Sequence, residues 1–230
     1  MDKIILQARE LFEDAGFDYA VCGGFALDMF AGKQLREHGD FDLLFFEEDR
    51  QKTLQFLRER DWQLYARFME DGKPITNHLF YLIENPADNK WIDVHNVWAV
   101  LPNSYAKSYP IERLGEDVFA FNMTEPRLQT LDFIEICFDK RRGGNFIAKE
   151  IALPMERAIL SKDGIPYMSP ELVLFLKTPE FYTTNAYQKP KTEADFGAVM
   201  PLLSAESKMW LINAIKTTYP DGTPWLDGII

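Results

Sequence analysis

A chain of 230 residues has room for one large domain or two small ones, and at 47% hydrophobic and 27% charged residues it reads as globular, with 18 Phe, 9 Tyr and 5 Trp as core material. The balance of 36 acidic against 25 basic residues, −11 overall, argues against a broad nucleic-acid-binding face and suits a cationic small substrate. Two cysteines, Cys22 and Cys137, cannot build a disulfide framework or a Cys-rich metal site. With no basic-then-apolar leader and no apolar run near the ~20 residues that cross a bilayer, the cytoplasm is the expected location.

Asp2 is placed to cap a first helix whose apolar positions Ile5, Ala8, Leu11, Phe12 and Ala15 share one face, and Gly16 supplies its stop. Phe17 to Cys22 reads as a short buried strand. Gly23-Gly24 breaks it, and FALDMFA follows as a helix closed by Gly32. After a basic loop, Phe41 to Phe46 is a second strand, and Glu48 and Asp49 suit the start of a helix running to about Arg60. Strands are expected near Trp62, near His78 and over WIDVHNVWAV near Trp91, and this order implies a mixed sheet with helices packed on it. Pro102 to Arg127 is turn-rich, LDFIEICF from Leu131 is a further strand candidate, and DKRRGGN from Asp139 reads as an exposed loop. The last quarter turns helical. Ser169-Pro170-Glu171 opens one helix, Thr178 to Lys191 reads as a mobile loop, Thr192 to Asp195 resembles a capping box, and Ser204 caps a last helix through Thr218.

The informative segment is VCGGFALDMFAGKQLREHGDFDLLFF, Val21 to Phe46. In a strand, residues two apart point to one face, so Asp40 and Asp42 present two carboxylates together. Such a pair repels unless a cation sits between, and Mg²⁺ suits it because it takes hard oxygen ligands and leaves positions open for phosphate. Gly23 and Gly24 stand where a strand turns into a helix, a place whose amide groups favour an anion and where glycine lets a phosphate approach closely. Taken singly, a glycine pair is a plain turn and a D-x-D is a solvated strand end. Together they describe a nucleotide-processing site. Asp93, between apolar Ile92 and Val94, is the candidate third acid, on pattern alone balanced against a solvent-facing strand acid. His78 and His95 do not form a zinc set.

The segment closely resembles the glycine-pair and D-x-D signature of nucleotidyltransferases, and more narrowly the aminoglycoside 2″-adenylyltransferases and lincosamide nucleotidyltransferases. Those carry GG-aromatic-A, a basic loop and R-x-H-x-D-x-D, here Arg36, His38, Asp40 and Asp42. IDVH at Ile92 to His95 resembles the stretch that bears the group's third acid, and GIPYMSPELVLFLK and KTEADF resemble the C-terminal part of other superfamily members. The resemblance implies an α+β nucleotidyltransferase fold, a mixed sheet flanked by helices, with residues 1–125 as the catalytic domain. Residues 126–230 would be strand-containing, then helical, and complete the cleft.

The resemblance further implies that Gly23 and Gly24 hold the triphosphate of an NTP, and that Asp40 and Asp42 bind Mg²⁺, as two ions. Asp93 would be the general base and a further metal ligand. Phe25 stands where broader superfamily members carry Ser, which removes one hydroxyl from the phosphate cradle. Arg36 and His38 are candidates to steady phosphates, or are loop packing. Lys177, Lys189 and Lys191 are candidates for the cation that the family pattern puts near the triphosphate. The implied activity moves AMP from ATP onto a hydroxyl of a small molecule such as an aminoglycoside or lincosamide. The competing readings are a toxin-like nucleotidyltransferase acting on tRNA or protein, and a non-catalytic nucleotide-binding module. Phe181, Tyr182 and Tyr187 are candidates to close over the acceptor.

Overall fold

The structure is a computed structural model that describes residues 2–67, 69–70, 73–74, 79–92, 94–102, 111–121, 130–178 and 188–220. In chain order the elements are α1 (Lys3–Phe12), β1 (Tyr19–Val21), α2 (Gly23–Ala31), β2 (Asp42–Phe46), α3 (Arg50–Arg58), β3 (Gln63–Arg67), β4 (Met69–Glu70), β5 (Lys73–Pro74), β6 (Leu79–Leu82) and β7 (Asn96–Val100). There follow β8 (Ile111–Arg113), β9 (Val118–Phe121), β10 (Phe133–Arg142), β11 (Asn145–Ala148), β12 (Ile151–Pro154), β13 (Ile159–Lys162), β14 (Ile165–Met168), α4 (Pro170–Lys177), α5 (Gln188–Val199) and α6 (Ala205–Thr218). The expected mixed α+β class with a helical C-terminal part is what is found. Among the described residues no helix is long and apolar enough to cross a membrane.

The chain divides into two compact units, Met1–Val21 with His38–Asp139, and Cys22–Glu37 with Lys140–Ile230. In the first, the strand order is β1-β2-β10-β7-β3-β6-β9-β8. Every pairing is antiparallel except β2 with β10, which run parallel with Asp42 opposite Glu135 and Phe46 opposite Asp139. Residues paired across a ladder share a face. One face carries Leu43, Phe45, Ile136 and Phe138, all fully buried. It is covered by α1 and α3, with the Phe12 ring 5.3 Å from Phe45 and 5.6 Å from Phe56. Asp2 fixes the start of α1, its Oδ1 accepting from the Ile4 amide at 2.9 Å. The opposite face carries Tyr65, Phe80, Trp98, Val100, Phe121 and Phe133 as one aromatic-rich cluster. On that same face, by register, lie Asp42 and Glu135.

In the second unit, α2 ends at Gly32, whose φ of +71° gives the left-handed cap that a Cβ would strain. Lys162 Nζ donates to the Met29 carbonyl in the last turn of α2 at 2.6 Å. Helix α2 packs on α4 and α5, and α4 on α6, where Phe175 meets Trp210 edge-on at 5.8 Å. The end of β10, Lys140–Arg142, forms a hairpin with β11 through Gly143-Gly144, so the expected exposed loop DKRRGGN is strand and turn. Its charges line an exposed hairpin, which hides the strand period. Residues 145–162 form β11, β12, a helical turn at Met155–Ala158, and β13.

Helix α5 starts at Gln188, four residues ahead of the expected capping box. Thr192 is therefore an interior position and fully buried rather than a cap. Residues 179–187, with Phe181, Tyr182 and Tyr187, lie outside the described residues.

Candidate active site

Within the first unit the acids gather at the start of β2. Asp42 is its first residue, half-buried, and Asp40 stands two residues earlier, just ahead of the strand rather than in it. Between them Phe41 is fully buried, and its carbonyl accepts the Glu135 amide at 2.9 Å, which locks β10 against the acidic segment. His38 is buried in the loop that leads into it.

Glu135 is the residue that sequence reasoning missed. Its Oε1 accepts from Asn96 Nδ2 at 3.0 Å. Burial pushes its carboxyl above the usual carboxylate range, and the negative charge of Asp40 pushes the same way. The Asn96 hydrogen bond, the Arg67 charge and a Trp98 hydrogen bond pull it back. Like charges crowded at one strand end are relieved by a cation. An acid inside the apolar run FIEICF is the signal that could have flagged it, as Asp42 was flagged inside FDLLFF. Which strand lies beside β2 is not a local property, so the pairing itself was invisible.

Asp93 lies outside the described residues. The strand expected over it begins later, at Asn96; Trp91 closes a short 3₁₀ turn and Ile92 is 62% exposed. Arg50 donates to the carbonyl of Val94 and stacks its guanidinium on Phe138. His95 stands near Asp139, whose carboxyl is raised by burial, lowered by His95 and raised by Glu47. Asp139 is four residues along β10 from Glu135, roughly 13 Å at strand rise.

In the second unit Gly23 and Gly24 form the first turn of α2 rather than a break before it. Gly23 takes φ +60°, open to glycine at no cost, and Gly24 is buried. Asp28 Oδ1 accepts from the Leu35 amide at 2.8 Å and ties the basic loop back to α2. That loop delivers Arg36 to Asp195 on α5. Nε donates to Oδ1 at 2.8 Å and Nη2 to Oδ2 at 3.2 Å, while Nη1 reaches the Glu37 carbonyl at 3.1 Å. Lys177, the last residue of α4, puts Nζ 3.3 Å from the same Oδ2. Lys191 lies half-buried in α5, one turn ahead of Asp195. The Lys189 side chain lies outside the described residues.

Among the described residues no three acidic, Cys or His side chains form a ready-made cage for an ion. Mg²⁺ does not need one. It is bound through one or two carboxylates plus water and substrate phosphates, and the oxygen donors of Asp40 and Asp42 fit that demand.

Comparison with known proteins agrees with the motif reading. Residues 4–107 match the family model described as aminoglycoside-2″-adenylyltransferase. A lincosamide resistance protein of Staphylococcus haemolyticus is 32% identical over 68 residues, which is 30% of this chain and 42% of that protein. The chain therefore spans about two fifths of the length of this curated relative. Among solved structures, ANT(2″)-Ia in complex with adenylyl-2″-tobramycin aligns over 93% of this chain and 94% of its own, at 12% identity and a TM-score of 0.49. Lincomycin-bound LnuA, a lincosamide antibiotic adenylyltransferase, aligns over 95% and 98%, at 15% identity and a TM-score of 0.41. The stretch that carries the glycine pair and R-x-H-x-D-x-D thus matches the aminoglycoside-2″-adenylyltransferase family model, which bears out the resemblance read from those residues.

Proposed function

We propose that this chain is a nucleotidyltransferase that transfers AMP from ATP to a hydroxyl of a small molecule, an aminoglycoside or a lincosamide. The observation that carries the reading is the pair of acids in register across β2 and β10, with a third acid just ahead of β2. Asp42 is in register with Glu135, with Asp40 close enough to act on Glu135 electrostatically. The family match over residues 4–107 supports it from the sequence side. The net charge of −11 favours a cationic acceptor over a polyanion.

Asp40 and Asp42 are the residues that would hold Mg²⁺, which when bound polarises phosphate oxygens and screens the charge of the departing group. The acceptor hydroxyl gives its proton to a third carboxylate as its oxygen forms a bond to the α-phosphorus. The bond from that phosphorus to the β-bridging oxygen breaks, and pyrophosphate leaves. The family resemblance assigns the proton acceptor to Asp93, and Glu135 is the acid in register with Asp42. Gly23, Gly24, Arg36, His38, Lys177 and Lys191 are assigned to the phosphates. The chain's contribution is positioning and charge compensation, with no covalent enzyme intermediate.

The test is Asp40→Asn. Pyrophosphate release in the presence of ATP, Mg²⁺ and acceptor should vanish, with the circular dichroism spectrum and melting temperature kept. Turnover at the wild-type rate would sink the metal assignment. Label incorporated into RNA or protein, and into no antibiotic, would move the acceptor to a macromolecule and leave the transfer chemistry standing.

A further inference from the structure

From the bonds that converge on Asp195 we infer that this buried carboxylate is a positioning residue: it holds Arg36 and Lys177 as a paired cationic clamp for the polyphosphate of the substrate. The inference deepens the nucleotidyl-transfer reading and rests on it. Asp195 is 2% exposed and sits on α5 at the meeting point of three segments of its unit: the basic loop after α2, the end of α4, and α5 itself. Both its oxygens are engaged by the Arg36 fork, and Oδ2 is shared with Lys177. Two donors on one oxygen, at 3.2 and 3.3 Å, lie at most about 6.5 Å apart. That spacing lets one di- or triphosphate meet both heads with neighbouring oxygens.

A guanidinium held by a bidentate fork keeps its plane and direction, and an ammonium on a flexible stem is fixed only by what it touches. Asp195 supplies both restraints. The Arg36 and Lys177 side chains are each 16% exposed, so the cations are largely withdrawn from water, where their pull on phosphate is strengthened. Taken alone, the three groups carry one positive charge. The loop is fixed at its other end by Asp28, so Arg36 is positioned from the same helix that begins with Gly23-Gly24. The expected capping box Thr192 to Asp195 instead supplies this carboxylate from the interior of α5.

The experiment compares binding of ATP, inorganic tripolyphosphate and adenosine by calorimetry, and the ATP dependence of turnover. The variants are Asp195→Asn, Asp195→Glu, Arg36→Lys and Lys177→Met, beside wild type. Asp195→Asn should weaken ATP and tripolyphosphate about tenfold or more, with adenosine affinity unchanged, and raise KM for ATP more than it lowers kcat. Asp195→Glu should recover part of that loss.

Asp195→Asn leaves two cations facing each other and could compromise folding, so Lys177→Met is the second arm. It keeps the Arg36–Asp195 pair and should still lose tripolyphosphate about tenfold. Arg36→Lys keeps the charge and loses the fork, and should weaken both phosphate ligands. Unchanged phosphate affinity in Lys177→Met, or adenosine and ATP lost in parallel in Asp195→Asn, would overturn the clamp. So would a wild-type chain that binds ATP but not tripolyphosphate. A wild-type chain that binds tripolyphosphate through these residues yet transfers no nucleotide would uphold the clamp and sink the transferase reading.

Discussion

Replacing Glu135 with Gln removes one charge at almost unchanged shape, and with it both the repulsion of Asp40 and the attraction of Arg67. Gln matches Glu in size, and its carbonyl can still accept the Asn96 amide that now lies 3.0 Å from Oε1. The Glu135 amide bond to the Phe41 carbonyl belongs to the backbone and survives. Packing around β10 is therefore unchanged, and a half-buried carboxylate repelled by Asp40 has been neutralised, so the melting temperature should hold or rise. If Glu135 takes the acceptor's proton, turnover should fall by about 10²–10⁴, the range for losing a general base. At about 1.4 kcal/mol per decade that is roughly 3–6 kcal/mol of transition-state stabilisation. The assay is pyrophosphate release at saturating ATP and acceptor, paired with a thermal melt, and Asp93→Asn measured alongside. The larger loss on an intact fold identifies the base. Activity within about threefold of wild type would remove Glu135 from the chemistry, and a loss that tracks a lowered melting temperature would make it a structural residue.

Three further outcomes follow from the geometry. Burial raises the Asp132 carboxyl above its usual value of 3.8, so the folded state binds that proton more tightly than the unfolded chain. The ionised form then costs stability, a cost absent below the unfolded value and growing as pH rises through the folded one. Asp132→Asn should therefore raise the melting temperature at neutral pH, with the gain gone by about pH 3.8. A constant gain across pH would contradict this. Phe133→Ala, at a fully buried position whose ring lies 5.1 Å from Trp98, should cost about 3–5 kcal/mol in urea unfolding; a loss under about 1 kcal/mol would mean the cluster repacks. Gly23→Ala forces a side chain into φ +60°, a cost of about 1–2 kcal/mol, and should raise KM for ATP, whereas an unchanged KM would separate the glycine turn from the phosphates.

Features set by local chemistry were readable from the sequence. Asp2 caps α1, Gly32 closes α2, Pro170 opens α4, and Ser204 caps α6 by accepting the Ser207 amide. Each depends on a few adjacent residues and a backbone demand. The sheet was legible as strands but not as an order. Nothing near Phe133 says that β10 inserts between β2 and β7, and that insertion is what brings Glu135 beside Asp42.

The D-x-D pair was visible because two acids interrupt an apolar strand, yet Asp40 stands before the strand, so pleat alternation alone does not place it. WIDVHNVWAV looked like one strand because it is rich in β-branched and aromatic residues and alternates apolar with polar over Ile92 to His95. Trp91 instead ends a 3₁₀ turn, and pairing starts at Asn96. Thr192 to Asp195 looked like a capping box, with Asp195 as the acid three residues after the cap, because T-x-x-D before an apolar run resembles that signature. Tertiary packing extended α5 backwards to Gln188 and turned the same residue into the partner of Arg36 and Lys177.

The most direct measurement is the mass of the acceptor. The purified chain would be incubated with ATP, Mg²⁺ and a panel of aminoglycosides and lincosamides, then analysed by mass spectrometry with pyrophosphate assayed in parallel. The account predicts one acceptor heavier by an adenylyl group, with one pyrophosphate released for each. Hydrolysis of ATP to ADP, or no adenylylated product with any antibiotic, RNA or protein offered, would contradict it.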